Sequence, residues 1–249
     1  MSRPQTAPPT LVVAGALALA AAVSLGLARF SYALLLPPMR TDLGWSYLTA
    51  GAMNTVNAAG YLFGALLLPR VLARFDARNV LLAGSGGAAA LLAGHGAVTG
   101  DAALFALRLA TGVASAAAFV AGGLLAARLA TTTDIHAAAA AGTTPHRAGL
   151  VLGLYYGGTG LGIIVSALLV PPLAARATIH AWQGAWIALG VAALVATVIT
   201  GLLTRQLAVP RAQAHPHARF DWAPFRFGLA GYFLFGLGYI GYMSGHAPW

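Results

Sequence analysis

Long apolar runs alternate with short polar segments along the chain from residue 11 onward. A membrane-spanning α-helix needs about 20 consecutive, mostly apolar residues. The pattern predicts seven spans, namely Leu11–Met39, Tyr47–Val71, Val80–Val98, Ala102–Leu129, Ala148–Val170, Trp182–Thr204 and Phe225–Met243. Turn-like or charged segments separate them, such as Arg40–Gly44, Arg74–Arg78 and Thr131–Arg147. The predicted fold class is therefore all-α, a polytopic membrane helix bundle. The first run is also compatible with a cleaved signal peptide, but it is longer than a usual signal core and apolar character resumes at Ala33.

Composition places the chain in lipid rather than in water. Hydrophobic residues make up 59% and charged residues 8%, whereas soluble domains carry about 25% charged residues. The net charge of +9 does not indicate nucleic-acid binding, because the arginines lie in short loops between apolar runs. The chain has no cysteine, and no catalytic triad, metal cluster or phosphate-binding glycine loop stands out. The sequence thus predicts neither an enzyme nor a cofactor, and His215 and His217 are interpreted as part of a solvated linker.

The loop arginines predict the orientation of the chain. One alternate set of loops, beginning with the N-terminal tail, holds ten arginines, and the other holds only Arg40 and Arg176. Cytoplasmic loops are enriched in basic residues. We therefore expect a cytoplasmic N-terminus. The Ala/Gly/Arg bias is typical of a GC-rich bacterial genome, so the expected location is the inner (plasma) membrane of a bacterium.

Two arginines lie too deep in their spans to belong to loops. Arg29 precedes the Pro37-Pro38 pair by about nine residues, which is roughly 13 Å along a helix, and Arg108 follows Asp101 by seven, roughly 10 Å. Arginine stays charged, and its burial in a membrane costs at least about 2.5 kcal/mol. All five acids are aspartates at or near span edges. Backbone carbonyls, a carboxylate from elsewhere, or a bound anion could each compensate, and the side chains could also snorkel toward the interface.

Further polar residues recur at helical spacing inside the spans. In the second span Asn54, Asn57 and Tyr61 share one face, and they point either to interhelical hydrogen bonds or to a solute cavity. Thr111 accompanies Arg108, and the fifth span contributes Tyr155 and Thr159. That span also carries the glycine-rich run 157–162, which favours close helix packing. His95, near the outer end of the third span, is interpreted as interfacial, with a proton relay as the alternative.

Four sequence stretches resemble the major facilitator superfamily, and within it the YbfB/YjiJ-type transporters. The first is Gly26-Leu27-Ala28-Arg29-Phe30-Ser31-Tyr32 with the following Leu36-Pro37-Pro38-Met39 and Asp42–Ser46. The second is Arg108-Leu109-Ala110-Thr111-Gly112, similar to the Arg-x-x-x-Gly motif of the superfamily's fourth helix. The third is the glycine-rich fifth span with Tyr155-Tyr156-Gly157-Gly158, and the fourth is the seventh span, 231–242.

The resemblance implies a fold of two six-helix halves with the solute between them. It divides the chain into a cytoplasmic tail (1–10), a six-helix half (11–204), an inter-half linker (205–224), and a seventh helix with a tail (225–249). Because the superfamily has twelve helices, we expect the chain to be truncated. The implied function is secondary active transport of a small organic solute by alternating access, with export as a candidate direction, a proton as a candidate coupling ion and an anionic solute as a candidate substrate. The expected cavity residues are Arg29, Tyr32, Asn54, Asn57, Tyr61, Arg108, Thr111, Tyr155 and Thr159.

One loop departs from the superfamily's pattern. The loop after the second helix normally carries Asp-Arg-x-Gly-Arg as a cytoplasmic gate latch, but here it reads Ala73-Arg74-Phe75-Asp76-Ala77-Arg78. The expected gate residues are Arg74, Asp76 and Arg78, with Asp76 as a substitute acid. The alternative function is a non-transporting membrane protein, either a truncated product or a structural subunit.

The topology makes the first testable prediction. With a cytoplasmic N-terminus and seven spans, alkaline phosphatase fused after Trp249 should be active, because the fusion point would lie outside the cytoplasm. A fluorescent protein that matures only in the cytoplasm should stay dark at the same position. Fluorescence there would mean an even number of spans.

Overall fold

The computed structural model describes residues 10–141 and 147–205, together with residues 207, 226–228, 230, 231 and 234; of residues 134–141 and 147 it describes the backbone only. The chain divides into two compact units, Met1–Ala212 and Gln213–Trp249. In the second unit the described residues 226–228, 230, 231 and 234 are helical. Residues 1–9, most of the linker, including His215 and His217, and most of the predicted seventh span lie outside the described residues.

Six long helices make up the described part of the first unit. The first, α1, runs over Thr10–Leu43 and is π-helical over Ala22–Phe30. The others are α2 (Tyr47–Arg74), α3 (Ala77–His95), α4 (Asp101–Ala141), α5 (Arg147–Ala174) and α6 (Ala181–Leu203). All except α3 are long and apolar enough to cross a membrane. The all-α membrane helix bundle predicted from the sequence is confirmed.

Local signals fix several helix ends. Gly44, at φ 64°, ends α1 in the left-handed conformation that glycine adopts without strain. The Ser46 hydroxyl caps α2 by accepting a hydrogen bond from the Thr49 amide at 3.1 Å, and the Asp76 carboxylate caps α3 by accepting one from the Arg78 amide at 2.9 Å. These are the small polar residues favoured at helix N-caps.

Two helices extend further than the apolar pattern indicates. The Thr-rich stretch expected to separate the fourth and fifth spans is helical as far as Ala141. The hydroxyls of Thr131 and Thr133 donate to the carbonyls of Ala127 and Leu129, four residues earlier, and the alanines that follow are strong helix formers. α1 likewise continues through Pro37 and Pro38 to Leu43, so the polar segment expected to begin at Arg40 forms the last helical turn.

Helix α4 occupies the centre of the first unit, where it packs against α1, α2, α3 and α5. Glycines allow backbones to approach closely at these crossings. A methyl group at Gly60 of α2 would collide with the Leu109 carbonyl of α4, and one at Gly112 of α4 would collide with the Asn57 carbonyl of α2. In the same way Gly26 of α1 lies against Gly162 of α5.

Side-chain hydrogen bonds to backbone carbonyls join the helices. The Ser24 hydroxyl donates to Ser115 of α4 at 2.8 Å, the Thr200 hydroxyl donates to Ala16 of α1 at 2.9 Å, and the Asn57 amide donates to Arg108 of α4 at 3.0 Å. Each of these polar groups is buried and would be costly without a partner.

The outward faces of the bundle are apolar. Large hydrophobic side chains are exposed along α2, α5 and α6, including Leu62, Leu66, Leu154, Leu168 and Val191. A water-soluble protein does not expose apolar surface on this scale. These faces fit contact with lipid or with further transmembrane helices.

The α2–α4 crossing generates a prediction about stability. Gly112→Ala should destabilise the protein by about 1–3 kcal/mol, because the added methyl group meets backbone atoms of α2 that cannot rotate away. The matched control is Gly51→Ala on α2, where a methyl group would find no atom within 4 Å; that change should be neutral or stabilising by up to about 1 kcal/mol. The temperature of unfolding in detergent measures both, and equal values for the two variants would contradict the close crossing.

Candidate functional site

Arg108 lies on the inward face of α4 and is completely buried. Its Nη1 donates a hydrogen bond to the Ala28 carbonyl of α1 at 2.9 Å. The guanidinium carbon lies 4.8 Å from the centroid of the Tyr32 ring and 5.7 Å from that of the Trp186 ring. Both distances fall within the range of cation–π attraction. One carbonyl and two aromatic faces thus hold a permanent cation between α1, α4 and α6.

This arrangement leaves Arg108 with unused hydrogen-bonding capacity. Its Nε and Nη2 are buried and have no hydrogen-bond partner among the described residues. An unpaired buried donor costs about 1–3 kcal/mol, and more when it is charged. The two nitrogens form one edge of the planar guanidinium fork, the edge that recognises carboxylate or phosphate oxygens in pairs.

Arg29 differs from Arg108 in burial and in contacts. It lies in the π-helical part of α1 and is only half-buried. Among the described residues its side chain has no hydrogen-bond partner, and it comes directly after Ala28, whose carbonyl binds Arg108. Departures from regular α-helix of this kind are frequent at functional sites.

Every aspartate side chain that the structure describes is occupied at a helix end. Asp42 accepts hydrogen bonds from the His180 ring and from the Trp182 indole. Asp101 accepts one from the Trp45 indole at 2.8 Å, and Asp76 caps α3. The side chains of Asp134 and Asp221 lie outside the described residues. Within the described part of the chain, therefore, no carboxylate neutralises Arg29 or Arg108.

The polar residues expected to line a cavity on α1, α2 and α4 differ in how far they are buried. Asn57 is buried and binds the Arg108 carbonyl, Tyr61 is half-buried, and Asn54 is exposed. Thr111 is buried, and its hydroxyl donates to the Leu107 carbonyl one turn earlier. Tyr32, on α1, donates its hydroxyl to the Ala50 carbonyl of α2 at 2.8 Å.

The two expected cavity residues on α5, Tyr155 and Thr159, also differ in burial. Tyr155 is buried and donates its hydroxyl to the Phe119 carbonyl of α4, and Thr159 is half-buried. Tyr155 lies in the apolar cluster that contains Leu17, Leu81 and Leu125, whereas Tyr32 lies in the cluster with Trp186 and Leu189. Tyr32 and Tyr155 thus lie in different apolar clusters, and a common cavity lined by the nine expected residues stays a prediction.

The three expected gate residues, Arg74, Asp76 and Arg78, lie at the end of α2 and the start of α3. Arg78 reaches from α3 to the end of α6, where its Nη2 donates to the Gly201 carbonyl at 2.7 Å and its Nε to the Thr204 hydroxyl at 3.2 Å. Arg74 is exposed at the end of α2. Asp76 uses its carboxylate to cap α3. A gate role for these residues stays a prediction.

Two residues of the Arg108 environment were not expected from the sequence. Trp186 is buried and lies beside the guanidinium, and the buried His95 ring stacks on Trp186 with ring centroids 4.4 Å apart. A tryptophan in an apolar span resembles ordinary core or interface. The sequence shows a histidine at the end of the third span, but it does not show that the His95 ring is buried inside the bundle. That follows only from the tertiary fold.

Comparison with known proteins shows which protein family the chain resembles. A family model described as the uncharacterised MFS-type transporter YbfB matches residues 21–244. An uncharacterized MFS-type transporter of Mycobacterium tuberculosis is 31% identical over 216 residues, which cover 86% of this chain and 33% of that protein. The chain thus spans about a third of the length of the curated relative it matches.

The contacts of the two arginines predict different effects of substitution. Arg108→Gln should destabilise the bundle by about 3 kcal/mol or more, because the Ala28 carbonyl and both aromatic faces lose their partner. Arg29→Gln should change the free energy of unfolding by less than about 1 kcal/mol, because no described hydrogen bond is lost. Thermal unfolding of the purified variants in detergent distinguishes the two, and equal destabilisation would show that Arg29 also braces the helices.

Proposed function

The chain belongs to the YbfB-type family of major facilitator transporters, and from that premise we propose that it takes part in moving a small organic solute across the membrane by alternating access. The coarse function, membrane transport, follows from the family. The solute, the mechanism and the direction of movement are proposals, of which export from the cell is the direction favoured by the resemblance. The proposed setting is a bacterial inner membrane with the N-terminus in the cytoplasm.

We infer that the solute carries an anionic group that binds at Arg108. The observation that supports this is the pair of unpaired buried donors, Nε and Nη2, on a permanent cation. Arg29 adds a second positive charge on α1, one residue after the Ala28 carbonyl that binds Arg108, and no described acid offsets either. A carboxylate, sulfonate or phosphate would satisfy both nitrogens at once.

The remaining contacts of Arg108 support binding rather than bracing alone. Bracing of α1 uses Nη1, which binds the Ala28 carbonyl. Arg29 is half-buried and has no described partner, so it can approach a ligand without breaking a hydrogen bond. In this proposal the guanidinium of Arg108 is held in place and binds the anion through two nitrogens, and the side chain of Arg29 moves toward the anion as a second positive charge.

A second candidate is a membrane protein that does not transport. The observation that favours it is that some of the expected cavity residues join helices to one another, since Arg108 binds the Ala28 carbonyl of α1 and Asn57 binds the Arg108 carbonyl of α4. Saturable uptake of an organic anion by liposomes that contain the purified 249-residue protein, above that of empty liposomes, would exclude this candidate.

The anion site is tested in a longer relative that has the same two arginines. Arg29→Gln and Arg108→Gln should each weaken the binding of organic anions about 100-fold or more, because a buried charged contact contributes several kcal/mol. Neutral ligands of the same size should be unaffected by Arg29→Gln. Equilibrium binding is measured on variants whose folding has been verified. If both variants fold and bind anions as tightly as the wild type, the proposed site is wrong.

A further inference from the structure

The last turn of α1, residues 39–43, is held against the start of α6 by two tryptophans. Trp182 and Trp186 are four residues apart and lie on one face of α6. The Trp182 indole donates a hydrogen bond to the Asp42 carboxylate. One turn further into the bundle, the Trp186 indole donates to the Met39 sulfur at 3.4 Å. One exposed and one buried contact thus fasten this turn of α1 to α6.

The fastened turn lies over the Arg108 site. Met39 and Trp186 are completely buried, and the Trp186 ring centroid lies 5.7 Å from the Arg108 guanidinium carbon. Asp42, by contrast, is exposed at the end of the helix. Along this line of contacts, the last turn of α1 and the Trp186 ring separate the guanidinium from the exposed carboxylate.

Two prolines weaken the connection between this turn and the rest of α1. Pro37 and Pro38 lie inside the helix, and a proline has no N–H to donate to the carbonyl four residues earlier. The backbone hydrogen bonds that would end at Ala33 and Leu34 are therefore missing. Gly44 ends the helix directly after the turn. Because the backbone holds residues 39–43 less firmly than a regular helix would, their contacts with α6 matter more.

The contact at Asp42 is the more accessible of the two. Its carboxylate also accepts a hydrogen bond from the His180 ring, and the two side chains are 27% and 34% exposed, so water can compete for both. His180 has a φ of 56°, which is uncommon for residues other than glycine. The contact with Asp42 therefore holds His180 in a conformation that it would otherwise seldom adopt.

We propose that residues 39–43 form a hinged lid over the Arg108 site and that Asp42 is the latch that keeps the lid closed. When Asp42 releases α6, the lid turns about the two prolines, and water or a solute gains access to Trp186 and Arg108 from this end of the bundle. The inference goes beyond the proposed anion site and does not depend on it, because the lid covers Arg108 whatever binds there.

The experiment measures lid opening by the reaction of a single thiol. The chain has no cysteine, so Met39→Cys introduces one at a completely buried position of the lid and keeps a sulfur atom there. A water-soluble maleimide should react slowly with this variant in detergent, since only molecules with an open lid expose the thiol. Adding Asp42→Ala should speed the reaction about fivefold or more, because two hydrogen bonds to a partly exposed carboxylate are lost. An unchanged rate in the folded double variant would overturn the proposal.

Two controls separate lid opening from general loosening of the bundle. Asp76→Ala removes a carboxylate that caps α3, and it should leave the reaction of the Met39→Cys variant unchanged. Leu17→Cys places the thiol at an equally buried position of α1, before the prolines, and its reaction should not respond to Asp42→Ala. If Asp42→Ala speeds the reaction equally at positions 17 and 39, the whole bundle has loosened and the lid is wrong.

Hydrogen exchange gives the same decision if Met39→Cys does not fold. The amides of residues 39–43 should exchange faster in Asp42→Ala than in the wild type, whereas those of α5 should exchange at the same rate in both proteins. Equal exchange of residues 39–43 in the two proteins would show that Asp42 does not hold the lid.

Discussion

The structure depends on the burial of one permanent cation, Arg108, among apolar helices. Arginine cannot lose its charge under ordinary conditions, so the surrounding residues must supply compensation. They do so with a carbonyl of α1 and with the faces of Tyr32 and Trp186. This draws α1, α4 and α6 together around one side chain. The compensation is partial, since two of the guanidinium nitrogens have no described partner.

Close helix packing makes this arrangement possible. Small residues at the α2–α4 and α1–α5 crossings bring backbones near enough for buried side chains to reach carbonyls on neighbouring helices. Hydrogen bonds of that kind contribute about 1 kcal/mol or less each in membranes, so they fix the register of the helices more than they stabilise the bundle. Packing and polar contacts thus place Arg108 and His95 against Trp186.

The apolar pattern was sufficient to predict the six described helices of the first unit, though not all of their ends, because each span must satisfy its own backbone in lipid. The distances of Arg29 and Arg108 from Pro37 and Asp101 also placed both arginines inside helices, which the structure confirms. Other features depend on tertiary contacts. Asn54 and Asn57 are three residues apart and were assigned to one face, yet one is exposed and the other is buried against α4. The helix continues through Thr131–Thr133, where threonine hydroxyls donate hydrogen bonds to carbonyls of the preceding turn. A pattern of apolar residues cannot reveal such hydrogen bonds. The stacking of His95 on Trp186 joins residues 91 positions apart and leaves no local signature.

The proposed function depends on recognition of negative charge by the unpaired nitrogens of Arg108. Its most direct test is calorimetric titration of the purified chain with methanesulfonate and with dimethyl sulfone, a neutral molecule of nearly the same shape. The site described here predicts saturable binding of methanesulfonate at one site per chain and at least about 100-fold weaker binding of the sulfone, because only the anion can neutralise Arg108. Equal affinity for the two molecules, or no binding of methanesulfonate, would show that Arg108 does not form an anion site.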